Sequence, residues 1–329
     1  MERSYKKLVI ITHASDKYGF GHVVRSLRNY NLLKDFFLCK LIVIGNKTIR
    51  EKLLNFSDLN TLYLDFNIKT SVEKIIDDFN PDGMIIDLLS IDTWLSDILK
   101  KNKFLKKIWF SDLGRYNKSI DHIFVVNPEV LWQDNERNMI ECMDFLEFNE
   151  NLKSLRKRNF FFNDNIYINA GGVISTETKH TLYDLLGKLK DYKLKGFLNL
   201  GFSDEKLSDI NNNFKLITNS DNHYEYIKKS RVCIIAGGFT RYEMAFVGMP
   251  ILLFSLNNHQ KRFATDFEKN GLGLYLGDLK DISSFKNVEK INNFFLNKTL
   301  HKKLSNNCKN KIKLNSSTFL KKVQYIFGD

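Results

Sequence analysis

Short runs rich in Ile, Val, Leu and Phe recur along the chain, separated by longer segments whose apolar residues fall at helical spacing. Unbroken apolar runs of strand length, rather than strict alternation, mark a parallel sheet covered on both faces. The pattern predicts strands at Lys7–His13, Lys40–Gly45, Thr61–Asp65, Gly83–Asp87, Lys107–Ser111 and His122–Val126. In the second half it predicts them at Asn165–Asn169, Gly196–Leu200, Phe214–Thr218, Val232–Ala236, Ile251–Ser255 and Leu274–Leu276. Two sets of six strands alternating with helices imply an α/β chain of two Rossmann-like, doubly wound domains. The stretch from Glu141 to Asp164 is charged, Asn-rich and irregular, so the boundary is expected there, with domains at 1–150 and 151–329. The C-terminal stretch reads as helical, its last helix packing back on the N-terminal domain.

Composition narrows the class. A chain of 329 residues suits two domains of ~150 residues each, and 43% hydrophobic with 27% charged residues is the balance of a soluble globular protein. No run approaches the ~18 apolar residues of a membrane span. Behind the basic Met1-Glu-Arg-Ser-Tyr-Lys-Lys start, Leu8–Ile11 is too short for a signal-peptide core, which points to the cytoplasm. Cys39, Cys142, Cys233 and Cys308 are widely spaced with no CxxC pair, so buried free thiols are expected rather than a zinc site. Fifty Lys and Arg against 38 Asp and Glu leave a net charge of +12, which suits nucleic acid, an anionic membrane surface or a phosphorylated small substrate.

Candidate chemistry begins after the first strand, at Gly19-Phe-Gly-His-Val-Val-Arg25. Gly19 and Gly21 permit a tight turn into a helix whose N-terminal N–H groups and dipole favour an anion. His22 would stand on the first turn, where the dipole disfavours imidazolium and favours a ring able to accept a proton. Arg25, three residues on, would share its face and suits contact with a diphosphate substrate. The third glycine of a dinucleotide fingerprint is missing, and strand two runs out into Gly45-Asn46-Lys47 without the acidic residue that holds an NAD ribose, which argues against a nicotinamide enzyme. His13, at the end of strand one, fits a structural or a functional role equally.

The second half carries Ala236-Gly-Gly-Phe-Thr-Arg-Tyr-Glu243 between a buried strand and a helix. Gly237 and Gly238 would let backbone N–H groups approach a diphosphate, Thr240 would cap the helix or bond a phosphate oxygen, and Glu243 would accept from both hydroxyls of a ribose. Asn258 and Gln260 follow the next strand, and the loop Asn169-Ala-Gly-Gly172 brings Gly171 and Gly172 towards the same phosphates.

Assembled, these motifs resemble the UDP-sugar hydrolases of pseudaminic acid biosynthesis and their spore-coat polysaccharide relatives, allied to the MurG-type glycosyltransferases. Further points of likeness are Ile86-Asp87 with Asp92 and Trp94 after it, and Phe110-Ser-Asp-Leu-Gly-Arg115. The resemblance implies a GT-B fold, two Rossmann-like domains facing a central cleft, with UDP bound by the C-terminal half through Gly237, Gly238, Thr240 and Glu243. It implies a sugar facing His22, with Asn258 and Gln260 nearby, and His22 as the base that activates water. Two departures fall on the sugar side: Leu88-Leu89 stands where the hydrolases carry a tyrosine, and their Gly-Pro-x-Tyr stretch is absent around Met143 to Phe148.

Asp87 and Asp112 are candidates for orienting His22 or the sugar. No Asp-x-Asp metal motif stands at a strand end, so metal-independent, inverting catalysis is expected, without a cofactor, with leaving-group charge held by helix N-termini and backbone N–H groups. The expected reaction is hydrolysis of a UDP-linked deoxy or amino sugar for a bacterial surface glycan. The rival is a glycosyltransferase in which His22 deprotonates an acceptor hydroxyl. A nucleic-acid module driven by charge lacks any basic-aromatic motif, so no nucleic-acid partner is expected. The basic run Lys153–Arg158 and the lysine-rich C-terminal helices read as solvated faces, or as a weak peripheral contact with an anionic membrane. The oligomeric state is left open.

Overall fold

The computed structural model describes residues 5–15, 19–45, 51, 61–65, 69–126, 139–141, 145–172, 174–201, 213–218, 222–313 and 316–328. Asn46, Lys47, Pro128, Cys142 and Met143 lie outside them. The chain divides into two compact units, Met1–Glu147 with Asn315–Asp329, and Phe148–Leu314.

The first unit is built on β1 (Lys7–His13), β2 (Leu38–Ile44), β3 (Thr61–Leu64), β4 (Gly83–Asp87), β5 (Lys106–Phe110), β6 (His122–Val125) and β7 (Met139–Glu141), with helices α1 (Gly21–Leu33), α2 (Lys69–Phe79) and α3 (Thr93–Lys101) between them. Its strands run parallel in the order β3-β2-β1-β4-β5-β6-β7. The sheet thus has seven strands where six were expected. The extra one, β7, is a three-residue Met-Ile-Glu edge strand, too short to stand out at the start of the charged stretch.

The second unit holds α4 (Glu150–Arg156), β8 (Asn165–Asn169), α5 (Thr176–Asp191), β9 (Lys195–Asn199), β10 (Phe214–Ile217), α6 (His223–Lys228), β11 (Ser230–Ala236), α7 (Thr240–Val247), β12 (Ile251–Ser255), α8 (Asn258–Lys269), β13 (Leu274–Asp278), α9 (Phe285–Leu296) and α10 (Lys298–Lys311). Its six parallel strands take the order β10-β9-β8-β11-β12-β13. β11 is buried along its whole length, as a central parallel strand must be. Ile166, Ile168, Val232, Ile234 and Leu252 form one face of the core, closed by Leu182, Leu185 and Leu189 from α5.

The stretch read as irregular contains α4. Asn149 caps it, its side chain accepting from the Leu152 N–H, and Leu152 and Leu155 are buried. Arg156, inside the run read as solvated, donates to the carbonyls of Ile312 and Lys309 at 2.9 Å each, and to that of Phe246, on whose ring it stacks. The charge tally could not separate this tethering arginine from its exposed neighbours.

The last helix, α11 (Ser316–Phe327), belongs to the first unit. Phe319 is fully buried against the rings of Phe110, Phe124 and Phe145, and the Lys106 ammonium donates to the Ile326 carbonyl at 2.7 Å. Both sheets reverse their winding beside their first strand, between β1 and β4 and between β8 and β11. The carboxyl ends of those strands are where open α/β sheets bind ligands.

Candidate active site

In the first unit, β1 leads through Gly19 into α1. Gly19 has φ +72°, a left-handed conformation that a side chain would strain, and its N–H donates to the Ser15 carbonyl at 2.6 Å. Helix α1 then places His22, Arg25, Ser26 and Asn29 at i, i+3, i+4 and i+7, all buried. A stripe that would normally be apolar is polar, and it faces the end of β4.

Asp87 closes β4 and is 1% exposed. Its Oδ1 lies 2.7 Å from His22 Nδ1, its Oδ2 accepts from Arg25 Nε at 2.8 Å and from Ser26 Oγ at 3.1 Å, and Arg25 Nη2 donates to Oδ1. Arg25 Nη1 donates to Asp112 Oδ1 at 2.7 Å. Burial alone would push the Asp87 carboxyl up, but the Arg25 guanidinium and the hydrogen bonds override it and hold it well below the usual carboxylate range. Burial likewise opposes the charge on Arg25, and Asp112 and Asp87 outweigh it. An ionised Asp87 only accepts, so His22 Nδ1 must carry the proton between them. In the neutral ring that tautomer leaves Nε2 as the accepting nitrogen, 3.8 Å from Asp112 Oδ2.

His13 packs edge-on against His22, ring centroids 4.7 Å apart. Burial, helped by His22 and opposed by Asp87, lowers its pKa to about 3, so it stays neutral. Leu88 is buried in the core, and its carbonyl accepts from the Trp109 indole at 2.9 Å. Of the pair that stands where the hydrolases carry a tyrosine, Leu88 is therefore a packing residue, and Leu89 is half-buried.

In the second unit, Gly237, Gly238 and the start of α7 meet the start of α8. The Gly237 N–H donates to the Phe254 carbonyl at 2.9 Å, and a Cβ on Gly237 would lie 2.6 Å from the Gln260 carbonyl oxygen. Gly237 therefore serves the close approach of two chain segments, and its N–H is not open to a phosphate. At Gly238 the nearest atom to such a Cβ is Gln260 Nε2, 3.9 Å away. Thr240 is the first residue of α7 and not its N-cap, which is Phe239, so the helix has no side-chain cap. Glu243, on the first turn, is half-buried, and its charge reaches the Tyr167 phenol, whose pKa is raised chiefly by burial.

Asn258 is exposed on the first turn of α8, which Asn257 caps by accepting from the Gln260 N–H at 2.9 Å. The Gln260 side chain turns back to accept from the Leu256 N–H at 3.0 Å. The Gly171 N–H is taken by Asn169 Oδ1 at 2.8 Å, and the carbonyls of Gly171 and Gly172 pack against Gly201.

Within the first unit the fold joins His22, Arg25, Asp87 and Asp112, and within the second it joins Gly237, Gly238 and Gln260. Ser26 and Arg241 also belong to these constellations. Helical spacing from His22 points to Ser26; nothing in the spacing marks Arg241, which lies inside the glycine motif. The substrate contact expected of Arg25 is not open to it, because Asp87 and Asp112 occupy its guanidinium and it is 2% exposed. Among the described residues, no group of three or more His, Cys, Asp or Glu is placed to hold a metal ion, and no helix is long and apolar enough to cross a membrane.

A scan against protein-family models finds no match. Over 298 residues the chain is 26% identical to an uncharacterized protein of Methanocaldococcus jannaschii, covering 84% of this chain and 61% of that protein. It thus spans less than two thirds of this relative's length. Among solved structures it is similar to MurG of Acinetobacter baumannii, with a TM-score of 0.63 and 12% identity over 98% of this chain and 100% of that one. It is also similar to the UDP-GlcNAc 2-epimerase of Neisseria meningitidis bound to UDP-GlcNAc, with a TM-score of 0.61 and 15% identity over 97% of this chain and 100% of that one. The chain has the GT-B fold. At these identities the likeness carries the fold and no further.

Proposed function

We propose that the chain cleaves the bond between the anomeric carbon and the diphosphate of a UDP-linked sugar, with water as acceptor and His22 as general base. The observation that carries this reading is the buried bond from His22 Nδ1 to Asp87 at 2.7 Å, which fixes the tautomer and leaves Nε2 to take a proton. Nε2 removes a proton from water as its oxygen bonds to the anomeric carbon. The bond from that carbon to the phosphate oxygen breaks, and its electron pair leaves with the diphosphate. Attack opposite the leaving group inverts the centre. The Asp87 carboxylate stabilises the imidazolium that forms, and Arg25 keeps that carboxylate ionised and in place. Assistance of this kind contributes ~10²- to 10⁴-fold.

The nucleotide is assigned to the second unit. Support comes from Gly238 and the start of α7 at the carboxyl end of β11, beside the point where the winding reverses, and from the half-buried Glu243 one turn on, suited to a ribose. The Neisseria enzyme of the same fold is bound to UDP-GlcNAc, which supports a UDP-sugar as the ligand. Leaving-group charge then falls on backbone N–H groups, so turnover should persist in EDTA.

Transfer to a sugar or lipid hydroxyl uses the same groups, with the acceptor replacing water. Incubating the protein with a panel of UDP-sugars and no acceptor separates the two readings. UDP release that is lost in His22→Gln supports hydrolysis; release only after a hydroxyl acceptor is added supports transfer. Absence of UDP release under both conditions, across the panel, refutes the proposal.

A further inference from the structure

Arg25, Arg231 and Arg241 are all buried, and they are balanced differently. Arg25 lies between Asp87 and Asp112, and Arg231 pairs with Asp164. Arg241 is 3% exposed and forms no ion pair with a carboxylate among the described residues. Its Nη1 donates to the carbonyls of Gly237 at 2.9 Å and Gly238 at 2.8 Å, and its Nη2 donates to the Tyr242 hydroxyl at 2.7 Å. The guanidinium carbon lies 4.1 Å from the Tyr242 ring centre and 4.5 Å from that of Phe263, while Nε has no hydrogen-bond partner among the described residues. Carbonyls and ring faces soften a buried cation but do not neutralise it.

Gripping these two carbonyls also orients the peptide N–H groups next in the chain. In a planar trans peptide the C=O and N–H point opposite ways, so holding the oxygens of residues 237 and 238 turns the N–H groups of residues 238 and 239 away from the guanidinium. Consecutive N–H groups ahead of a helix start make an anion-binding concavity.

We propose that Arg241 is the positioning residue of a diphosphate site on this loop. It aims the Gly238 N–H at the ligand, and the phosphate charge supplies the counter-charge that the protein withholds. The ligand identity rests on the reading of the second unit as a UDP site; the role of Arg241 rests on its own contacts.

The test compares binding of UDP, uridine and inorganic pyrophosphate by calorimetry to the full-length protein and to Arg241→Met, Arg241→Gln and Arg241→Lys, each checked for folding by circular dichroism. The neutral variants should lose UDP affinity by about 10- to 100-fold, the range of one hydrogen bond from a misaligned loop N–H to a charged phosphate, while uridine affinity stays within about twofold. Arg241→Lys should recover part of the preference for UDP over uridine. A merely structural arginine would lower thermal stability in all three variants and leave that preference unchanged, and this overturns the proposal. If Arg241→Met does not fold, Arg241→Gln decides by the same criterion; if neither folds, an undiminished preference in Arg241→Lys together with unchanged salt dependence overturns it. Wild type that binds pyrophosphate but not UDP refutes the nucleotide reading and leaves Arg241 to be judged on pyrophosphate. Wild type that binds neither overturns both.

Discussion

Asp87→Asn is the sharpest probe of the first unit. The substitution keeps the size of the side chain and removes the charge that faces His22 Nδ1, Arg25 Nε and Ser26 Oγ at 2.7, 2.8 and 3.1 Å. An amide has one accepting oxygen, so its NH₂ must face a donor, and Arg25 loses its better-buried counter-charge. Removing one partner of a buried pair costs ~3–5 kcal/mol; Asp112, 18% exposed and 2.7 Å from Nη1, keeps part of the balance, which puts the cost near ~3 kcal/mol. For a unit of this size that is a fall in Tm of ~6–12 °C. Trp94, Trp109 and Trp132 all lie within the Met1–Glu147 span and none within Phe148–Leu314, so tryptophan fluorescence tracks this unit alone. Because Asp87 is held below its ordinary pKa, its contribution is present above the unfolded value of ~4 and is lost as pH falls through the folded one. The difference between wild type and Asp87→Asn should therefore shrink in acid. The double variant Asp87→Leu with Arg25→Met should cost less than the two single changes together, by at least ~1.5 kcal/mol. A loss under ~1 kcal/mol, or strict additivity, would refute the claim that this carboxylate balances a buried cation.

His22→Ala should abolish UDP release while leaving the dissociation constant for UDP nearly unchanged; comparable loss of UDP binding would show that the nucleotide has been assigned to the wrong unit. Glu243→Ala should weaken UDP binding first, measured by calorimetry, and an unaltered constant would remove the ribose assignment. His13, lowered to about 3 by burial, binds no proton in the folded state where the unfolded chain does. Stability of the first unit should therefore fall as pH drops from ~6.5 towards 3, with a slope of up to ~1.4 kcal/mol per pH unit that His13→Gln flattens. Burial raises Cys39 and Cys308 to about 12, so both should resist alkylation at pH 8 until the chain is denatured, as peptide mass mapping would read. Gly83→Ala would drive a Cβ into the Phe327 ring, and a Tm unchanged by fluorescence would falsify the seating of α11 against β4.

Strand positions were legible because each central strand is a short unbroken apolar run, and β1, β4, β8 and β12 match the expected limits residue for residue. The exceptions have local causes. β7 is three residues at an edge, and α4 is hidden in a charged stretch where only Leu152 and Leu155 mark its buried side. The glycine loops were legible as loops, but the reason for each glycine was not. Gly237 is required by the backbone of Gln260, a contact between two loops that no sequence pattern announces, and Gly171 spends its N–H on Asn169.

From the amino-acid order alone come two parallel α/β sheets, the loops at their carboxyl ends and the candidate base His22, because burial on both faces writes itself into continuous apolar runs. Partners distant in sequence emerge only from the tertiary structure. Arg25 and Asp87 stand 62 positions apart, and their pairing depends on β4 lying next to β1 in the sheet. Only that adjacency converts Arg25 from an apparent phosphate ligand into the buried brace of a carboxylate that holds His22. It likewise takes the packed rings of Tyr242, Phe263 and Phe267 to reveal Arg241 as a cation without a carboxylate partner among the described residues. Charge is countable in a sequence, whereas the burial and pairing that determine what a charge does are properties of the fold.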